Sequence, residues 1–187
     1  MEPKNGIYDG DVVTCEDKML LNPYNDKNKE ITLNDIQCIL RTYGVTAPIN
    51  NIELYKRAFV NQSYTARNLY NPHTNEPIPT SKCPKTCIPL KSKSNERLEF
   101  IGDGVLELIT KYYLYRRFPK ADEGFMTEKK IAIVKNEHIG KLAYEMNLHK
   151  WVLISKYAES KNIRTNLKKL GCLFEAFIGA LLDRKSV

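Results

Sequence analysis

Residues 95–108 read NERLEFIGDGVLEL, and the spacing within this stretch decides both fold and chemistry. Its acids, Glu96, Glu99, Asp103 and Glu107, recur at intervals of three and four, which stacks them on one face of a helix. Each like-charged pair one turn apart costs roughly 0.2–0.5 kcal/mol, so the row needs cations or solvent to compensate it. A solvated helix face is the bland account. Against it, Leu98, Ile101, Val105, Leu106 and Ile109 occupy the other faces, so the helix is apolar around much of its circumference and is expected in the middle of a bundle. Carboxylates on a buried helix need a partner. Hard oxygen ligands on a rigid helix are what Mg²⁺ or Mn²⁺ takes, with water and substrate phosphate filling the remaining positions.

Working outward, the helix runs from about Asn95 to Phe118 and is closed by Pro119. A turn at Asp122, Glu123 and Gly124 leads to Thr127 as the expected N-cap, and helices are predicted over 127–147, 149–155 and 163–184. Upstream, Pro72, Pro77, Pro79, Pro84 and Pro89 break any regular element, which makes 68–94 a long proline-rich insertion. Before it, Thr32 and Asp35 resemble a capping box, with Ile36, Ile39, Leu40 and Tyr43 forming an apolar stripe that Gly44 stops. A second helix is read from Asn51 to Ser63, with Leu54, Ala58 and Phe59 inward. Residues 1–30 are polar and lack a sustained period, so they are read as an irregular N-terminal arm. No strand and no internal repeat is expected. The fold class is therefore all-α, with one domain over 31–187.

With 42% hydrophobic and 27% charged residues, the chain has an ordinary globular composition. No apolar run is long enough to cross a bilayer, and the N-terminus has no basic segment leading into an apolar one, so a cytoplasmic protein without membrane contact is expected. Five cysteines at irregular spacing fit reduced thiols. Only Cys83 and Cys87, with His73, suggest a metal clip, and a structural zinc site requires four ligands. A net charge of +7 favours a polyanionic partner, although a charge excess also serves plain solubility.

The stretch 95–108 resembles the signature of the ribonuclease III family, whose usual form differs in having Leu for Ile101 and Ser or Ala for Gly104. The segment 115–148, the stretch AFVNQSY at 58–64 and the closing FEAFIGALL at 174–182 are similar to the corresponding parts of the family, so the resemblance covers about 32–184. It implies a helical endonuclease-domain bundle that pairs as a homodimer and uses Mg²⁺ or Mn²⁺ to cut double-stranded RNA, leaving 5′-phosphate and 3′-hydroxyl ends. Position by position, Glu99, Asp103 and Glu175 match the metal-binding carboxylates, Glu96 and Glu123 match further acids of the cleavage site, and Phe100 matches an aromatic knob at the dimer contact. Phe100 could otherwise be a plain core residue. Glu107 matches no site of the family and is read as a surface or supporting acid. The family usually continues into a double-stranded RNA-binding domain, and none is expected within this sequence.

One position departs from the pattern. Where the family has an Asp three residues before the last glutamate, this sequence has Cys172, a soft ligand poorly suited to Mg²⁺. Asp183, eight residues beyond Glu175 and about 12 Å along a helix, cannot replace it. A buried cysteine that only packs is the bland account. Between 156 and 169, Lys156, Lys161, Arg164, Lys168 and Lys169 face only Glu159 in charge, and this cluster is expected to track RNA phosphates, because an acidic centre alone would repel its substrate. The competing function is a member of the same fold that binds structured RNA or scaffolds a complex without cutting. Cys172 favours that alternative, and the retained acids oppose it.

Overall fold

The computed structural model describes residues 10–15 and 18–182. Asp183 and residues 1–9 of the arm lie outside the described residues. Helix α1 (Leu33–Thr42) opens on the expected capping box: the Thr32 side chain accepts from Asp35 N, and the Asp35 carboxylate accepts from Thr32 N. Ile36 and Leu40 are its buried stripe, and Gly44, at φ 78°, turns the chain out of the helix. Helix α2 (Ile52–Ala58) is capped by Asn51 and stops before the expected Ser63, because Val60 pairs in extended form with Leu153. The long helix α3 (Glu96–Arg117) ends at Phe118 before Pro119, as its sequence predicts.

Helix α4 (Glu123–Val134) begins earlier than expected: Asp122, not Thr127, is its N-cap, accepting from Phe125 N at 2.8 Å. The single helix read over 127–147 is two, since Lys135 (φ −59°, ψ 131°) interrupts it before α5 (Asn136–Glu145). The break lets Asn136 and Gly140 meet the closing helix α7 (Leu167–Leu182). A Cβ on Gly140 would stand 2.0 Å from Leu167 O, and one on Gly171 would stand 2.7 Å from Asn136 O. Residues 149–155 are not a helix. A 3₁₀ turn at Leu148–Trp151 leads into an extended run, which is followed by the short α6 (Lys156–Ser160), and α7 starts after a further 3₁₀ turn at Ile163–Thr165.

α7 forms the centre of the bundle, between α3 on one side and α5 on the other, with α2 across it. Phe177 on α7 meets Tyr55 and Phe59 edge-on, at centroid distances of 5.8 and 6.1 Å. All three rings are fully buried, and burying each contributes on the order of 2 kcal/mol.

The polar segment read as an irregular arm carries short strands and buried residues. β1 (Val12–Cys15) and β2 (Lys18–Leu21) form an antiparallel hairpin, and Leu21 and Ile31 are buried. The proline-rich insertion likewise holds a small hairpin, β3 (Leu69–Tyr70) with β4 (Pro77–Ile78). Asn25 and Asn28 donate to Ile154 O, and Asn28 Oδ1 accepts from Ile154 N, so two amide side chains take the place of a neighbouring strand.

This network changes the reading of Arg164. Its guanidinium donates to Glu159 at 2.7 Å, to His149 O, to Val152 O and to Asn28 Oδ1, and its side chain is largely buried, so it clamps the arm to the bundle instead of facing a phosphate. Burial alone would raise the Glu159 pKa, but hydrogen bonds from Arg164 and Asn25 outweigh it and hold the carboxyl below its ordinary value. The ion pair therefore stabilises the fold above the ordinary carboxylate pKa, and the contribution is lost as pH falls through the lowered folded-state value. Glu159→Gln is expected to cost roughly 2 kcal/mol at neutral pH. The melting difference from wild type should narrow as the pH falls below the ordinary carboxylate pKa and through the lowered folded-state value, and a constant difference across that range would contradict the ionic origin.

α3 is less buried than its apolar circumference suggests. Phe100 is 82% exposed, and Ile101, Leu108, Ile109, Tyr112 and Tyr115 also face outward in the single chain.

Candidate metal centre and nucleic-acid cleft

α3 and α7 cross with almost no space between their backbones. A Cβ on Gly102 would lie 1.8 Å from Glu175 O, and one on Gly179 would lie 2.2 Å from Leu98 O. The close crossing brings Glu99 and Asp103 of α3 to the same opening as Cys172 and Glu175 of α7, although the two pairs are far apart in sequence. One ligand atom each from Glu99, Cys172 and Glu175 lies within 4.8 Å of the others. Asn136 Nδ2 donates to Cys172 Sγ at 3.8 Å, an orienting contact that the sequence reading missed because α5 was not separated from α4.

Glu175 is 7% exposed, and among the described residues no hydrogen bond or ion pair is made to its carboxylate. Burial first, then the charges of Asp103 and Glu99, push its pKa up to about 7. Burial, a hydrogen bond with Glu99, and the charges of Glu99 and Glu175 push the Cys172 thiol to about 12. A buried carboxylate beside two other acids, without a cationic side chain against it, fits a site completed by a divalent cation. Glu99, Asp103 and Glu175 supply hard oxygens suited to Mg²⁺ or Mn²⁺, while Cys172 supplies a soft donor where a carboxylate would suit them better.

These groups open onto a cavity of about 1110 Å³. Glu96 stands on its wall and accepts from Ser94 Oγ at 2.6 Å. Of the predicted basic cluster, Lys161 and Lys169 line this cavity, Lys156 and Lys168 are exposed beyond it, and Arg164 is turned inward. Lys161 lies over the Tyr157 ring, and the cavity wall also carries Asn61, Gln62 and Arg67, polar groups that the sequence reading passed over. Asn61 and Gln62 lie within AFVNQSY and Arg67 three residues after it, and that position was their only signal. Glu123 is not brought to this cavity. It lies in the first turn of α4, accepts from Thr127 Oγ1 at 2.8 Å, and lines a separate hollow with Lys111 and Tyr115. Glu107 is held by Lys130 at 2.8 Å and Lys111 at 3.3 Å, in keeping with a surface acid.

Elsewhere, Cys83 Sγ donates to the carbonyls of Pro84 and Cys87, and no group of three or more potential ligands forms around these cysteines among the described residues. No helix of the described residues is long and apolar enough to cross a membrane.

The family profile described as Ribonuclease III domain matches residues 96–184. Ribonuclease 3 of Enterococcus faecalis is 38% identical over 144 residues, 76% of this chain and 54% of the relative. A probable ribonuclease 3 of Acanthamoeba polyphaga mimivirus is 32% identical over 169 residues, 89% of this chain and 30% of the relative. The chain thus spans about half the length, or less, of these curated relatives. Among solved structures, the nuclease domain of ribonuclease III from Campylobacter jejuni superposes with a TM-score of 0.62 at 26% identity, covering 80% of this chain and 86% of that one. That structure is described in terms of flexibility in the region involved in its dimer formation. A second structure of the same nuclease domain gives 0.61, covering 81% of this chain and 83% of that one. The profile is matched across the two helices that build the centre and the fold is shared with a ribonuclease III nuclease domain, so residues 96–184 of the chain are identified as a ribonuclease III domain.

Proposed function

We propose that this chain is the endonuclease domain of a double-stranded-RNA-specific ribonuclease, acting as a homodimer with Mg²⁺ or Mn²⁺ and leaving 5′-phosphate and 3′-hydroxyl ends. The observation that carries the reading is Glu175, a buried and unpartnered carboxylate aimed at Glu99 and Asp103 in an open cleft. A divalent cation bound there supplies a water of lowered pKa and neutralises charge on the leaving 3′ oxygen. The chain's own part is to hold that charge at fixed positions on two rigid helices and to admit the duplex. Lys161 and Lys169 on the cleft wall offset the repulsion between the acids and the RNA backbone, and Lys156 and Lys168 extend the positive edge. A-form RNA is read by shape, phosphates and 2′-hydroxyls, so little base specificity follows.

Support for the dimer is the outward face of α3, where Phe100 stands among acids, 82% exposed and not covered by any of the described residues. Such an apolar face suits isologous pairing, each copy covering the same patch of the other. The domain assigned to this function spans 31–187, with the 68–94 insertion at its edge. Cys172 favours the second reading, a fold that binds structured RNA without cutting, because a half-buried thiol replaces a hard ligand.

Incubation of the purified chain with a long RNA duplex and Mg²⁺ or Mn²⁺ separates the two. Cleavage into short duplexes bearing 5′-phosphates is expected, together with a dimeric mass by light scattering that falls toward the monomer in Phe100→Ala. Binding without any cleavage under either metal would favour the scaffold.

A further inference from the structure

The geometry points to a regulatory use of the same centre: we propose that Cys172 makes it a site for a thiophilic divalent cation, Zn²⁺, held by Cys172 Sγ with one oxygen each from Glu99 and Glu175. Zn²⁺ bound there excludes the activating ion. The inhibitory consequence rests on the nuclease reading above, whereas the binding itself does not.

Three donors of two chemistries already lie within 4.8 Å of one another. Zn²⁺ takes sulfur at about 2.3 Å and carboxylate oxygen at about 2.0–2.2 Å, which sets neighbouring donors of a tetrahedron about 3.5 Å apart. Glu99 is only partly buried, which leaves its side chain room to rotate toward the other two donors. Glu175 is the second indication, since the residue is more than nine-tenths buried, its carboxylate lacks a partner among the described residues, and it opens into the same centre. The Asn136 amide donates to Cys172 Sγ at 3.8 Å and orients the sulfur as outer partners of metal ligands do.

Mg²⁺ gains little from a sulfur donor. Zn²⁺ gains far more, and it exceeds Mn²⁺ in intrinsic affinity for mixed donor sets. On coordination the thiol proton leaves to solvent and the sulfur binds as thiolate. A tetrahedron built on Glu99, Cys172 and Glu175 leaves Asp103 outside and one position for water, in place of the higher, oxygen-rich coordination that Mg²⁺ requires.

The test uses the whole chain freed of metal. Co²⁺, an optical stand-in for Zn²⁺, is expected to give a near-ultraviolet sulfur-to-cobalt charge-transfer band that Zn²⁺ abolishes. The band should be absent in Cys172→Ser and Cys172→Asp and retained in the Cys83→Ser/Cys87→Ser double variant. In competition with a chromophoric chelator, Zn²⁺ affinity should fall in Cys172→Ser by at least the roughly tenfold that even outer partners are worth. In parallel, Zn²⁺ should suppress Mn²⁺-supported duplex cleavage by wild type, and Cys172→Asp should resist it. No band in wild type, or a band that survives Cys172→Ser and vanishes with the Cys83/Cys87 pair, overturns the proposal even if the duplex is cut. A band that follows Cys172 in a protein that never cuts retains the metal site and overturns the nuclease reading instead.

Discussion

Glu175→Gln is expected to abolish duplex cleavage while making the metal-free protein more stable. The two effects have one cause. Glu175 is buried and unpartnered among the described residues, and its pKa is raised from 4.5 to about 7, first by burial and then by Asp103 and Glu99. The sign follows from that direction: the unfolded chain releases the proton near 4.5, whereas the folded chain retains it to about 7, so folding loses stability as pH rises between these values. At neutral pH and above, the accumulated cost is about 3 kcal/mol, and an uncharged side chain of the same shape removes most of it. Cleavage should fall roughly a thousandfold or more, because the charge that holds the cation is gone and the several kcal/mol of metal assistance go with it. Asp103→Asn should lose cleavage similarly. Duplex binding should persist in both, since Lys161 and Lys169 are untouched. Melting curves at about pH 5 and about pH 8 check the stability claim: the gain should be large at the higher pH and small at the lower. Full activity in either variant, or Glu175→Gln melting below wild type at the higher pH, would remove Glu175 and Asp103 from the centre.

The parts of this centre differed in how far they could be read before any coordinates. Glu96, Glu99 and Asp103 are legible together because helical spacing is a local property, and three or four residues separate them. Glu175 is not legible from spacing, since its place beside Glu99 depends on where two distant helices cross. Only family resemblance pointed to it. Arg164 was misread for a related reason: charge density along the chain says nothing of which way a side chain turns, and Glu159, Asn28 and two carbonyls turn this one inward. The break at Lys135 carries no Pro or Gly signal, and it arises from the docking of Asn136 and Gly140 against α7. In WVLIS at 151–155 a short apolar run fits helix or strand equally by period, and pairing of Leu153 with the Phe59–Asn61 backbone decides for the extended form. The arm looked unstructured because its order comes from side chains, Asn25 and Asn28, and from single apolar anchors at Leu21 and Ile31.

The close crossing of α3 and α7 makes Gly102→Ala the substitution with the largest expected structural effect. A methyl group at this position would stand 1.8 Å from Glu175 O and 2.6 Å from the carbonyl carbon, both of them helix backbone that no side-chain rotation can move aside. The helices must separate. A Cβ on Gly179 would likewise stand 2.2 Å from Leu98 O, so the close approach is not confined to one residue. Overpacking of this kind costs about 3 kcal/mol, at the upper end of the usual range, because the displaced atoms belong to two long elements. For a chain of this length that lowers the melting temperature by roughly 10 °C. Separation also carries Glu175 and Cys172 away from Glu99, so any protein that still folds should bind the divalent cation less well. Gly104→Ala, two residues further along the same helix, is the control. Within the single chain none of the described residues comes within 4 Å of a Cβ there, and replacing a helical glycine by alanine at such a position is worth up to about 1 kcal/mol in favour of the fold, read on the protomer because Gly104 lies one turn from Phe100 on the proposed dimer face. Opposite shifts in melting temperature for the two variants, with weakened metal binding in Gly102→Ala alone, are the expected result. Equal shifts would show that the α3 and α7 backbones do not approach as closely as the centre requires.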